Sequence, residues 1–266
     1  MTAAVIAVLA GVLIGLTMGA LGGGGSILTV PVLVYALGQE PQPATTASLI
    51  IVGITSVTAA VGHARAGRVN WRAAGVFGVL GILASFLGSV LNRTVNPQVL
   101  LLAFAALMIV AAAAMFARTR RPRDTDVRAS DTATEAENPG RHRLVRRVRV
   151  VLAALVVGFL TGFLGVGGGF LIVPALVLAL GFSMPTAVGT SLVVIAMTSI
   201  GALAERAGHA SVPWAVVIPF TLAAMVGSQF GKRVSDAVSP TALTRSFATL
   251  LGLVAGYVIV RAGASL

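Results

Sequence analysis

The run Gly-Ala-Leu-Gly-Gly-Gly-Gly-Ser-Ile-Leu-Thr-Val-Pro, from Gly19 to Pro31, returns as Gly-Phe-Leu-Gly-Val-Gly-Gly-Gly-Phe-Leu-Ile-Val-Pro from Gly162 to Pro174. Setting Pro174 on Pro31 gives an offset of 143 residues, which without a gap also pairs Gly38 with Gly181, Ser48 with Ser191, Trp71 with Trp214 and Pro97 with Pro240. Between Gly15 and Trp71, 23 of 57 aligned positions are identical, more than a shared richness in Gly, Ala, Leu and Val supplies. The chain therefore reads as two copies of one unit, and the fold is expected to be built from that unit twice.

Hydrophobic residues make up 57% of the 266 and charged ones 10%, with a mean hydropathy of +0.97. That balance lies outside soluble globular domains and predicts a membrane protein. The net charge of +11 does not mark a nucleic-acid groove, because 10 of the 19 Lys and Arg fall between Arg118 and Arg149, with 5 of the 8 acids. The absence of cysteine removes disulfides, thiolate metal sites and thiol redox chemistry. Thr2 to Leu21 is apolar but lacks a basic start and runs directly into the first copy, so it reads as a retained span.

Each half holds five apolar segments: 3–21, 27–37, 44–61, 73–91 and 99–117, then 150–164, 170–180, 187–203, 214–230 and 243–260. The expected fold is an all-α polytopic membrane protein with two repeats, 1–117 and 150–266, joined by a basic linker over 118–149. Each repeat has four long helices and one short half-helix, for eight to ten transmembrane segments in all. A span needs about 20 apolar residues, so the second segment of each five is too short and predicts a half-helix or a re-entrant piece. The linker is polar and mixed in charge, and reads as a flexible loop. Its arginines, and those of the stretch from His63 to Arg72, place both on the cytoplasmic side. If the short segment completes a crossing, each half crosses five times and the second half is inverted; if it is re-entrant, each crosses four times and the halves are parallel. Lys232 and Arg233, with a Glu205-Arg206 loop of no net charge and an N-terminus free of Lys and Arg, favour inversion.

Four successive glycines, Gly22 to Gly25, would cost a helix interior about 1 kcal/mol each against alanine, so the helix is expected to stop there. Opened backbone at membrane depth is tolerated inside protein or along a wet cavity, and paired interruptions point to a transporter's binding site. Each break precedes a short apolar helix, whose free N–H groups and positive dipole end suit an anion. Pro31 and Pro174 are expected in the first turn of that helix, limiting how far back it reaches. Candidate substrate-binding residues are Gly22, Gly23, Gly24, Gly25 and Ser26, with Gly165, Gly167, Gly168 and Gly169 in the second copy. The hydroxyls of Ser48, Thr55, Ser191 and Thr198, seven apart on one helix face in each copy, join them. Their alternative role is a backbone hydrogen bond within the helix. Gly11, Gly15 and Gly19, like Gly158 and Gly162, recur every four residues and read as close-packing positions.

Ionisable residues are absent from the middle of every segment, which argues against a buried carboxylate relay. His63 and Glu205 sit at segment ends, where a solvated loop role is expected; if protons are coupled to transport, these two are the candidates. Trp71 and Trp214 read as interfacial anchors. No metal cluster or cofactor motif is present, and Gly24-Gly25-Ser26-Ile27 lacks the glycine that would follow a nucleophilic serine, so no catalytic centre is expected.

The doubled glycine-proline motif, the Ser/Thr-rich third segment and the Trp after the basic loop together resemble the TauE/SafE family of sulfite and organosulfonate exporters. The resemblance covers the chain except 118–149, which is longer and more charged than the family pattern. It implies an inner-membrane permease that moves small sulfur-containing anions such as sulfite or sulfoacetate, with no cofactor and no nucleic-acid partner, as a single chain or a homo-oligomer. The first copy has Gly23 where the second has Val166, and Ser26 for Gly169, so the half-sites need not be equivalent. The expected mechanism is alternating access, with the halves rocking around the paired breaks; an anion channel and a non-transporting scaffold are the alternatives.

Overall fold

The structure is a computed structural model that describes residues 2–92, 95, 97–120, 139–164, 169–206 and 212–263. Among these residues there is no strand, and ten helices follow in order. They are α1 (Thr2–Leu21), α2 (Gly24–Pro31, continued by a π-helical turn Val32–Ala36), α3 (Pro41–Arg65), α4 (Trp71–Asn92), α5 (Pro97–Arg120), α6 (Pro139–Leu164), α7 (Gly169–Leu178), α8 (Met184–Arg206), α9 (Trp214–Ala237) and α10 (Pro240–Gly263). Six of them are long and apolar enough to cross a membrane: α3, α4, α5, α8, α9 and α10. Apolar stretches of α1 and α6, and the short α2 and α7, supply the rest. The outward faces are apolar too, with Leu13, Leu87, Val110, Leu253 and Val260 exposed, as a lipid-facing surface requires.

Glycine positions show how the helices run. Gly11, Gly15 and Gly19 of α1 lie against Phe220, Ala224 and Ser228 of α9, so α1 and α9 are parallel. Gly158 and Gly162 of α6 lie against Gly81 and Ser85 of α4, again parallel. Adding 143 to the first residue of a pair and subtracting it from the second turns the first set of contacts into the second: Gly15 on Ala224 becomes Gly158 on Gly81. These glycines bring backbone onto backbone, the geometry that small residues every four positions permit. α3 is parallel to α9, through Gln229 Nε2 donating to the Thr58 carbonyl (3.2 Å) and Gly62 beside Lys232. Conversely, Gly53 faces Ser199 while Gly189 faces His63, so α3 and α8 are antiparallel. Gly78 against Met197 and Ile82 against Gly201 make α4 and α8 parallel. Thus α1, α3 and α9 point one way and α4, α6 and α8 the other.

The short segment is what makes this possible. A Cβ on Gly25 would lie 2.7 Å from the Ile14 carbonyl oxygen, so the chain turns back on α1 at the break and α2 retraces its path before α3 begins. Pro31 and Pro174 stand inside α2 and α7, not in their first turns as the sequence suggested. A proline inside a helix leaves a carbonyl one turn back without its donor. After Pro31 the helix widens, and the N–H of Leu37 reaches back five residues to the Val32 carbonyl (3.1 Å).

One end of the bundle collects the cations. Arg68 pairs with Asp236 at the end of α9, Lys232 lies 2.7 Å from the same carboxylate, and Arg118 of α5 donates to the Val177 carbonyl at the end of α7. Glu205 and Arg206 close α8 at the opposite end. Helix extends into both ends of the stretch read as a linker: α5 runs to Arg120, and α6 starts at Pro139 because the arginine-rich 141–149 continues an apolar helix without a breaker. The middle of that stretch, 121–138, lies outside the described residues.

Candidate functional site

α1 stops at Leu21, and the break proper is Gly22 and Gly23. Gly22 has φ +72°, the left-handed conformation glycine adopts freely, and its N–H still donates to the Met18 carbonyl (2.8 Å). Gly24 and Gly25, expected in the break, instead form the first turn of α2. A helix begins without side-chain cost there, and its first N–H groups have no intrahelical acceptor.

The start of α2 meets the start of α7. A Cβ on Gly23 would fall inside the carbonyl oxygen of Gly169 and 2.9 Å from the Phe170 Cα, and one on Gly169 would lie 2.8 Å from the Ser26 hydroxyl. Ser26 and Gly169 are 143 apart, so their contact is its own image under the offset. From α8, the Ser191 hydroxyl reaches the outside of the turn, 2.6 Å from a Cβ on Gly22. Gly22, Gly23, Ser26, Gly169 and Ser191 therefore converge. The arrangement is closed: atoms crowd the added carbon at each of Gly22 to Gly25, Leu250 coming within 2.9 Å at Gly24. Gly165, Gly167 and Gly168 lie outside the described residues.

The hydroxyls divide. Ser26 donates to the Gly23 carbonyl (2.7 Å), Ser48 to Thr45 (2.7 Å), Ser191 to Val188 (2.8 Å) and Thr198 to Ile195 (3.1 Å), each three residues back. Their protons are spent within the helix, and their lone pairs cannot serve an anion. Thr198 also lines a mostly apolar cleft between α4, α6, α7 and α8, with Phe77, Val157 and Ile172. Thr55 differs: it is fully buried with no hydrogen-bond partner, as is Ser56 beside it. An orphaned buried hydroxyl costs about 1–3 kcal/mol, so Thr55→Val should leave thermal stability in detergent unchanged or raise it by about 1 kcal/mol. A lower melting point for that variant would mean that Thr55 has a structural partner after all.

His63 is not in a solvated loop, as its place at a segment end suggested. It occupies the last turn of α3 and is fully buried, because α8 presents Gly189 there and lets backbone close over the ring. Its Nε2 lies 3.0 Å from the Gly19 carbonyl of α1, three residues before the break. Glu205 stands in the last turn of α8, at the far end. Asp236 gave no signal as part of a cluster; the four-residue spacing from Lys232 is the only hint the sequence holds. Trp71 and Trp214 open α4 and α9 with their rings exposed, at opposite ends of the bundle. Among the described residues no group of His, Asp and Glu could hold a metal.

Interrupted helices meeting inside a bundle of apolar spans define a multi-pass membrane transporter. The sequence profile described as sulfite exporter TauE/SafE matches residues 7–258, and the chain belongs to that family. A probable membrane transporter protein of Xylella fastidiosa is 34% identical over 267 residues, covering 98% of this chain and 97% of that one. Similar proteins of Methanocaldococcus jannaschii (24% identical; 95% and 94% covered) and Bacillus subtilis (YunE, 25% identical; 94% and 93% covered) are also described as probable membrane transporters. No solved structure matches the chain.

Proposed function

We propose that the chain is a plasma-membrane permease that exports small sulfur-containing anions, sulfite or an organosulfonate, by alternating access at the crossing of α2 and α7. The observation that carries this reading is the break at Gly22 and Gly23 abutting Gly169 and Ser26, with the N-termini of two short helices brought together where no cationic side chain is present. Backbone amides and helix dipoles at such ends favour a negative solute. The family supplies the solute class, since its description names sulfite export. The antiparallel course of α3 against α8 and the offset contacts of α1 with α9 and α4 with α6 support an inverted pair of repeats. The end gathering Arg68, Arg118 and Lys232 is then cytoplasmic, with the linker, by the positive-inside rule.

The closed crossing is the occluded state of the cycle. The halves cannot rock as units, because α1 is held by α9 and α4 by α6; the moving bodies are mixed pairs, and α2 and α7 are the hinged elements between them. In sealed vesicles containing the purified protein, radiolabelled sulfite should show saturable counterflow, which an anion channel does not give. Gly24→Ala sets its methyl against the flexible end of Leu250 and should lower that flux at least about tenfold, equivalent to roughly 1.4 kcal/mol, with a melting temperature measured alongside to show that the variant is folded. Unchanged flux in the folded variant would refute the site.

A further inference from the structure

His63 is the one fully buried ionisable side chain among the described residues. A carbonyl oxygen only accepts, so its contact with Gly19 fixes the proton on Nε2, which donates. The other nitrogen, Nδ1, is then a bare acceptor, enclosed and without a partner. Buried polar atoms are nearly always paired, and the exceptions call for a reason.

The surroundings supply one. From α9, Lys232 lays its stem across Gly62, next to His63, and Asp236 follows one turn on; Arg233, also on α9, lies over the Phe230 ring. Arg68 approaches from the loop after α3, and Arg65 is exposed on α3 itself. α1 and α2 have no ionisable side chain, and α8 has Glu205 and Arg206 only at its other end. The single carboxylate, Asp236, is already held by Arg68 and Lys232. A proton added at Nδ1 therefore creates a cation that no neighbouring side chain is free to balance. An anion at the break can balance it: Gly19 is three residues from Gly22, a rise of about 4.5 Å, and the start of α2 draws negative charge.

We propose that His63 carries the proton of an electroneutral proton–anion cycle, taking it up at Nδ1 when a monoanion occupies the break between α1 and α2 and releasing it when the anion leaves. This rests on the anion-transport reading above and adds proton coupling to it: proton and anion cross in the same direction, so net export requires an outward anion gradient larger than the inward pull of the proton gradient. His63 does not touch the solute; it is a positioning and charge-balancing residue that acts through the last turn of α1. Binding linkage is reciprocal, so anion binding promotes protonation as much as protonation promotes binding.

The test uses the full-length protein in sealed vesicles, with radiolabelled sulfite and protein-free vesicles as the blank. Wild-type protein should accumulate sulfite when the outside is more acidic, approaching about tenfold per pH unit, the ratio that one proton per monoanion sets. His63→Gln, whose amide N–H can replace the bond to Gly19, should keep counterflow exchange and lose accumulation and its pH dependence. Accumulation in His63→Gln equal to wild type, or wild-type counterflow that ignores the pH gradient, would overturn the proposal while leaving the transport reading intact. Absence of wild-type counterflow would overturn both. Should His63→Gln also lose counterflow, nitrogen NMR of the His63 ring in wild-type protein decides: sulfite must drive proton uptake at Nδ1, and an unchanged ring refutes the proposal.

Discussion

Gly23→Val should abolish sulfite flux and lower the stability of the protein in detergent by about 3 kcal/mol or more, near the upper end of overpacking costs. The reason is that the added carbon meets backbone, the Gly169 carbonyl and the Phe170 Cα, rather than the tip of a side chain that could swing away. Relief requires α2 and α7 to separate, which opens the crossing the transport cycle depends on. Thermal unfolding followed in parallel with counterflow checks both parts. A variant that transports normally would show that the two short helices need not touch.

The second large effect concerns the parallel helix pairs. Gly15→Leu should prevent stable assembly, because its first carbon would penetrate the backbone of α9 at Ala224. The matching change at Gly158, facing Gly81 of α4, should be as damaging. By contrast, Gly252 and Gly256 of α10 have open space where a Cβ would stand. Gly256→Ala should stabilise the protein by about 0.5–1 kcal/mol, by removing backbone freedom from the unfolded chain. Expression level and melting temperature of the three variants separate glycines that hold helices together from glycines that merely occur in them.

Much of this was legible because glycine reports on backbone. The break at Gly22, the close-packing positions Gly11, Gly15 and Gly19, and the close approach of Gly23 to Gly169 all fall at places where no side chain fits. Which helix fills the space opposite is another matter. A four-residue stripe on α1 specifies a close neighbour without naming it, and the neighbour turns out to be α9, far along the chain. The sequence also could not show that Gly24 and Gly25 belong to α2, since propensity disfavours glycine there and the crowded contact with Leu250 and Met18 overrides it. Proline inside α2 escaped the rule for first turns because a π-turn absorbs the register after Pro31. His63 misled for a related reason: its position at a helix end suggests water, while Gly189, on a different helix, seals it in. Hydroxyl spacing could not tell Thr55, with no acceptor, from Ser191, which bonds within its own helix.

The partnership of α1 with α9 has a bearing on biogenesis. The first helix leaves the ribosome long before its mate is made, so its glycine-lined groove must sit in lipid, unfilled, while most of the polypeptide is still to come. Long-range contacts of this kind form late and slowly. The contact of α1 with α9 therefore cannot form until the later helix has been made, however early α1 enters the membrane.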